Sequence, residues 1–131
     1  MQTDAVIGKR GYLHSSASGK AILAALPDER VKEILDEHGM PASTEHTTID
    51  VDTLFTELEE ILDTGVAFNE EESTMGLHAV ATAICDADGR PVGALSISGP
   101  AHRLKGKPFR QELPNLVLAS ANELELKLEF Q

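Results

Sequence analysis

The sequence predicts an α+β domain, an antiparallel sheet covered by helices. Three observations carry that reading. Apolar residues recur at helical spacing through the first half of the 131-residue chain. Between Val66 and Ser98 the pattern changes to alternation and short apolar runs separated by turn residues. After Pro114 the helical period returns.

The elements follow in order. In HSSASGKAILAALP (14–27), Ser15, Ser16 and Ser18 offer N-cap hydroxyls, and Ala21, Ile22, Ala24, Ala25 and Leu26 supply a compact apolar helix that Pro27 stops. Pro27-Asp28-Glu29-Arg30 opens a second helix, in which Val31, Ile34 and Leu35 share a face until Gly39 breaks the run. Residues 40–49 are polar and turn-rich. Asp50 or Asp52 starts a third helix with Leu54, Phe55, Leu58, Ile61 and Leu62 as its apolar positions, and Gly65 closes it. Val66 to Glu70, Leu77 to Cys85 and Pro91 to Ser98 read as three strands. The turn Asp86-Ala87-Asp88-Gly89-Arg90 joins the last two as a hairpin, with Gly89 supplying a positive φ. Within ALSIS, Leu95 and Ile97 point to one face, and Ser96 and Ser98 to the other. A basic, polar stretch follows Gly99-Pro100. A long helix then starts near Pro114, with Leu113, Val117, Ala121, Leu124 and Leu128 on one face.

Charge and composition bound the function. Asp plus Glu number 22 against 11 Lys plus Arg, a formal net charge of −11. That balance argues against a broad basic face for nucleic acid or for an anionic membrane, because phosphate neutralisation needs clustered cations. It also fits a salt-adapted, halophilic origin, in which self-repulsion is screened by salt. No apolar run approaches the roughly 20 residues of a membrane span, and Met1-Gln2-Thr3-Asp4 lacks the features of a signal peptide. A cytoplasmic location is the expectation. The single cysteine, Cys85, leaves no internal disulfide and reads as a small apolar filler.

Positive signs of catalysis are lacking. His14, His38, His46, His78 and His102 are scattered without HxxxH or HExxH spacing, and only a convergence of His14, His78 and Cys85 in space would suggest a metal. GxSxG is missing, and Gly19-Lys20 lacks the rest of a phosphate-cradling loop. Glu70-Glu71-Glu72, with His14 or His78, could form a catalytic acid site on organic acids or esters. The plainer reading of these carboxylates is a solvated rim. A binding site has better support. The helix start at Ser16 to Gly19 presents free N–H groups and the positive end of a dipole, suited to a small carboxylate. Ser96 and Ser98 would face the same ligand if their side of the sheet lies under that helix start. Otherwise they decorate a solvent-facing surface.

These segments resemble the C-terminal effector-binding domain of IclR-type transcriptional regulators. The resemblance rests on LHSSASGKAILAALP (13–27), GVAFNEEESTMGLHAVATAICDADGRPVGALSISGP (65–100) and HRL (102–104), in the order and spacing of that family and over nearly the whole chain. Leu13-His14, Ala17-Ser18-Gly19-Lys20-Ala21, Glu71-Glu72, Gly76, Asp86 to Gly89 and Ser96 to Pro100 fill its slots.

The resemblance implies a GAF/PAS-like domain over 1–131, with a central antiparallel sheet flanked by helices. It further implies a homodimer or homotetramer, no enzymatic activity and no cofactor. The expected ligand is a small organic effector, a carboxylate, aromatic acid or sugar-derived acid. Its contacts, carried onto this chain, are Ala17, Ser18, Asn69, Leu77, Ala79, Ser96 and Ser98. Ser18 and nearby amides would hold the acid group, Ser96, Ser98 and Asn69 would orient the ligand, and Leu77 and Ala79 would form the wall. Asn69 replaces a frequent Asp, and Ala79 a frequent Cys, which makes the pocket less acidic and more apolar. DNA would be bound only through an N-terminal winged helix-turn-helix outside this chain, so the chain reads as an excised domain with an added Met1. A GAF-like sensor from another signalling protein is the remaining alternative.

Overall fold

A computed structural model describes residues 2–4 and 13–129, with Met1 outside that range. In chain order these are β1 (Gln2–Asp4), a 3-10 turn (Leu13–Ser15), α1 (Ala17–Ala25), α2 (Asp28–His38), α3 (Val51–Thr64), β2 (Ala67–Glu70), β3 (Leu77–Cys85), β4 (Pro91–Pro100), a π-helical turn (Pro108–Glu112) and α4 (Leu113–Glu129). The α+β reading is correct. The sheet is antiparallel with the order β1-β4-β3-β2, which adds one strand to the three expected. Gln2–Asp4 pairs with Ser96 to Ala94 of β4. A three-residue strand without apolar alternation carries no sequence signal of its own.

Local signals set most element ends. Ser16 is the N-cap of α1, its hydroxyl accepting from Gly19 N–H at 3.0 Å. Asp50 caps α3, its carboxylate accepting from both the backbone N–H and the hydroxyl of Thr53. Those two bonds hold the Asp50 carboxyl below its usual value. In the β3–β4 hairpin the Asp86 carboxylate accepts from the N–H groups of Asp88 and Arg90, and Gly89 takes φ +82°, as expected.

The strand period sorts the core into two sides. On one side Ala67, Ala79 and Ala81 pack with Ala17, Ala21 and Ala24 of α1, and α1 is covered in turn by Val31 and Leu35 of α2 and Leu54, Leu58 and Ile61 of α3. On the other side Val66 and Val80 meet Phe109 and Val117, and Ile84 and Leu95 meet Ala121. Helix α1 therefore has neighbours all round, and every residue from Ala17 to Ala24 is buried. Two apolar stripes are narrower than their periodicity predicts. Leu62 of α3 is 66% exposed, and Leu124 and Leu128 of α4 are exposed as well, because the covering surface ends before the stripe does.

Helix α1 also passes close beneath the 3-10 turn. A Cβ on Gly19 would lie 2.3 Å from the carbonyl oxygen and 2.6 Å from the Cα of Leu13. Both are backbone atoms of a neighbouring element, so relief requires moving chain rather than turning a side chain. Gly19→Ala is expected to destabilise the domain by roughly 3 kcal/mol, the upper end of small-to-large core changes. Gly93→Ala, where nothing lies within 4 Å of the added Cβ, should stay within about 0.5 kcal/mol of wild type. Urea unfolding midpoints of the two variants test the contrast.

Candidate effector site

The sheet face toward α1 collects most of the site residues named from the sequence. Asn69, Ala79 and Ser98 are register partners across β2, β3 and β4, and Ala81 and Ser96 form the next row. Leu77 stands opposite Pro100 at the end of the same face. Directly opposed residues point to the same side, so these side chains share the side on which α1 lies. Ala17, in the first turn of α1, belongs to the same buried cluster as Ala79 and Ala81, and Ser18 beside it is buried. Ser96 is buried, Leu77 half-buried and Ser98 exposed. Leu95 faces α4, opposite to Ser96, as the alternation predicted.

Asn69 is 2% exposed and both ends of its amide are engaged. Its Nδ2 donates to the carbonyl of Ser15 at 2.7 Å, and its Oδ1 accepts from Glu72 N–H at 2.9 Å. It thereby ties the 3-10 turn before α1 to β2 and to the turn that follows. An ionised aspartate here could accept from Glu72 but would face the Ser15 carbonyl without a proton to donate. The amide is matched to two neighbours of opposite polarity.

The acidic run is a solvated rim only at Glu70, and each of its three carboxylates has a partner. Glu70 pairs with Arg110, Glu71 accepts from Gly76 N–H at 2.8 Å, and Glu72 pairs with Lys20. Glu71 adopts φ +63°, the only positive φ of a described non-glycine residue, and this turns the chain between β2 and β3. Thr44 and Thr47 hydroxyls donate to the carbonyls of Glu71 and Glu72, strapping the loop before α3 onto this turn.

Lys20 is the residue whose role the sequence did not reveal. Its side chain is 2% exposed, and its ammonium donates to Glu57 at 2.6 Å and to Glu72. Thr48 donates to Glu57 at 2.7 Å, which completes a polar cluster joining α1, α3 and the acidic turn. Burial pushes the Glu72 carboxyl above its usual value, against the opposing pull of Lys20. The acids that hold this lysine lie 37 and 52 positions away in sequence, so no local pattern reports its burial.

Glu70 and His78 are register partners across β2 and β3, but Glu70 is paired with Arg110. His14 Nε2 donates to the Pro41 carbonyl at 2.8 Å, on the α1 side. His78 Nδ1 donates to the Leu104 carbonyl at 2.6 Å and its ring stacks on Phe109, on the α4 side. Among the described residues no group of three or more His, Cys, Asp or Glu is placed to hold a metal ion. The half-buried Cys85 thiol is pushed up chiefly by burial, then by Glu125 and Asp86, and so stays protonated at neutral pH.

The family profile described as the C-terminal domain of the bacterial transcriptional regulator IclR matches residues 1–126. The chain belongs to the IclR family. This IclR-family chain is 40% identical over 105 residues to the transcriptional repressor AllR of Escherichia coli, a match covering 80% of the chain and 39% of AllR. It thus spans well under half the length of that relative. Among solved structures, the IclR protein of Thermotoga maritima superposes with a TM-score of 0.84 at 36% identity, covering 89% of this chain and 47% of that one. A double mutant of the inducer-binding domain of the transcription factor PobR from Acinetobacter, solved with 3-hydroxybenzoic acid, gives a TM-score of 0.80 at 25% identity, covering 86% of this chain and 65% of that one. These relatives carry the names of transcriptional regulators, in agreement with a domain that is not an enzyme.

The buried ion cluster gives a test with a definite sign. Lys20→Met leaves Glu72 buried without its cation and is expected to cost about 3–5 kcal/mol at pH 7. The Glu72 carboxyl then rises further, and as pH falls through that raised value the folded state takes up a proton that the unfolded state does not. The deficit relative to wild type should therefore shrink from pH 7 toward the ordinary carboxyl value of 4.5. Urea titrations at several pH values measure it, and a deficit independent of pH would contradict the assignment.

Proposed function

We propose that this IclR-family domain senses a small organic acid on the α1-facing side of its sheet and passes the signal to DNA binding by the full-length regulator. The observation that carries the reading is the register row Asn69–Ala79–Ser98, with Ser96 and Leu77 beside it and the first turn of α1 packed over the same face. N–H groups at the start of α1, near Ala17 and Ser18, receive the carboxylate. Ser96 and Ser98 orient the ligand, and Leu77 and Ala79 form its wall. Asn69 contributes through its second N–H and remaining lone pairs, keeping the bonds that place α1. The PobR domain, which carries an aromatic acid, supports the ligand class.

The effector acts by preferring one arrangement of subunits, since equal affinity for two arrangements shifts nothing. The assembly is a homodimer or homotetramer, and DNA is engaged by an N-terminal winged helix-turn-helix that this chain does not include. The overall arrangement is that of a GAF-like sensor. No described helix is long and apolar enough to cross a membrane, and a regulator acting on DNA works in the cytoplasm.

A thermal-shift screen of central-metabolite, aromatic and sugar acids identifies the ligand class. With the acid so found, Ser96→Ala combined with Ser98→Ala should weaken binding by about 1–3 kcal/mol, the loss of two hydrogen bonds. Unchanged calorimetric affinity would remove both serines from the site.

The net charge of −11 supports a salt-adapted protein. The melting temperature should rise between low and molar KCl by on the order of 5 °C, which about 1 kcal/mol produces in a domain of this size. A melting temperature indifferent to salt argues against that origin.

A further inference from the structure

Strand β2 is one edge of the sheet, with carboxylates of α3 on one side of it and, on the other, Arg110 of the 101–111 stretch paired with its Glu70. A cavity of about 540 Å³ opens over this edge. Arg110, Phe68 and Glu70 line one side of it, and Glu57, Glu60 and Thr64 of α3 line the other.

The Arg110 side is basic. The stretch Ala101–Gln111 carries Arg103, Lys105, Lys107 and Arg110 with no carboxylate. Without this stretch, 7 cations would stand against the same 22 acids, so a charge of +4 is concentrated on a remainder of −15. All four cations are exposed, and Arg103, Lys105 and Lys107 make no ion pair among the described residues. The support beneath them is fixed. The Leu104 carbonyl accepts from His78, the N–H groups of Arg103 and Leu104 donate to Pro100, and Phe109 is buried.

The α3 side is the converse. Asp50, Asp52, Glu57, Glu59, Glu60 and Asp63 lie in a stretch without lysine, arginine or histidine. Leu62 stands exposed on the same helix face as Glu59, and Val51, a little over three turns earlier, is exposed as well. Exposed aliphatic side chains inside a charged rim are the anatomy of a protein–protein contact.

We infer that the β2 edge, between acidic α3 and the basic 101–111 stretch, is a docking surface for a second copy of this chain. One molecule carries both halves of the complement. A two-fold rotation sets the basic stretch of each copy on α3 of the other, so every favourable contact occurs twice. Nucleic acid fits less well, because Glu57, Glu60, Glu70 and Glu72 outnumber Lys20 and Arg110 around the same cleft and repel phosphate. The inference rests on the reading that the domain self-associates, and it names the surface responsible.

Charge reversal tests it on this chain by sedimentation velocity at about 0.1 M KCl, where exposed charges within roughly 10 Å still interact. One variant is Lys105→Glu with Lys107→Glu, the other Glu59→Lys with Asp63→Lys. All four residues are exposed and none makes an ion pair among the described residues, so folding should survive and circular dichroism checks it. Each variant alone should raise the dimer dissociation constant at least tenfold, and an equimolar mixture should restore wild-type association, since both contacts of the mixed dimer are again complementary. Wild-type association in both variants overturns this surface while leaving self-association intact. A wild-type protein that is monomeric at every concentration overturns self-association and the surface together. A mixture that fails to associate rules out charge pairing between the two surfaces. Duplex DNA binding by wild type that the lysine variant loses assigns the basic stretch to nucleic acid instead.

Discussion

The fold depends on how closely α1 lies between two layers. The sheet presses Ala67, Ala79 and Ala81 against Ala17, Ala21 and Ala24, while α2 and α3 close over the opposite side of the helix. Small side chains on both contacting surfaces permit that approach, and Gly19 extends the rule to the backbone of the 3-10 turn. The same closeness explains Lys20. The Lys20 side chain is almost wholly buried, so its charge is met by Glu57 and Glu72 rather than by water. Packing geometry comes first here, and the polar cluster is its electrostatic consequence.

Much of this was readable because it is local. Ser16, Asp50 and the Asp86–Gly89 turn act on backbone groups within four residues, and their side-chain chemistry specifies the element ends directly. Strand alternation placed Leu95 and Ser96 on opposite faces. The sequence was silent where the cause is distant. β1 is defined by β4, some ninety residues further along the chain, and the burial of Lys20 depends on α3 and on the turn after β2. Leu62 marks another kind of miss, since periodicity shows which residues share a helix face but not how far a neighbour covers it. The π-helical turn before α4 has no local sequence signature beyond Pro108 at its start.

The candidate site shows the same division. Small residues and hydroxyls at 17–18, 79, 96 and 98 are visible in the sequence, and their grouping follows from strand register once the hairpin is known. Asn69 gains its meaning only in three dimensions, because one partner is the Ser15 carbonyl. The three adjacent glutamates looked alike in sequence. In the structure each has a separate partner: Arg110, the Gly76 amide or Lys20.

Strand β3 lies between the two packed sides, and its residues alternate between them. Ala79 and Ala81 rest on α1, while His78, Val80 and Ile84 engage the π-helical turn, α4 and their neighbours. A strand held in this way behaves as a shared wall. Any movement normal to the sheet that opens clearance on one side removes it from the other, by the same distance and in the same step. The two halves of the domain cannot adjust their thickness independently.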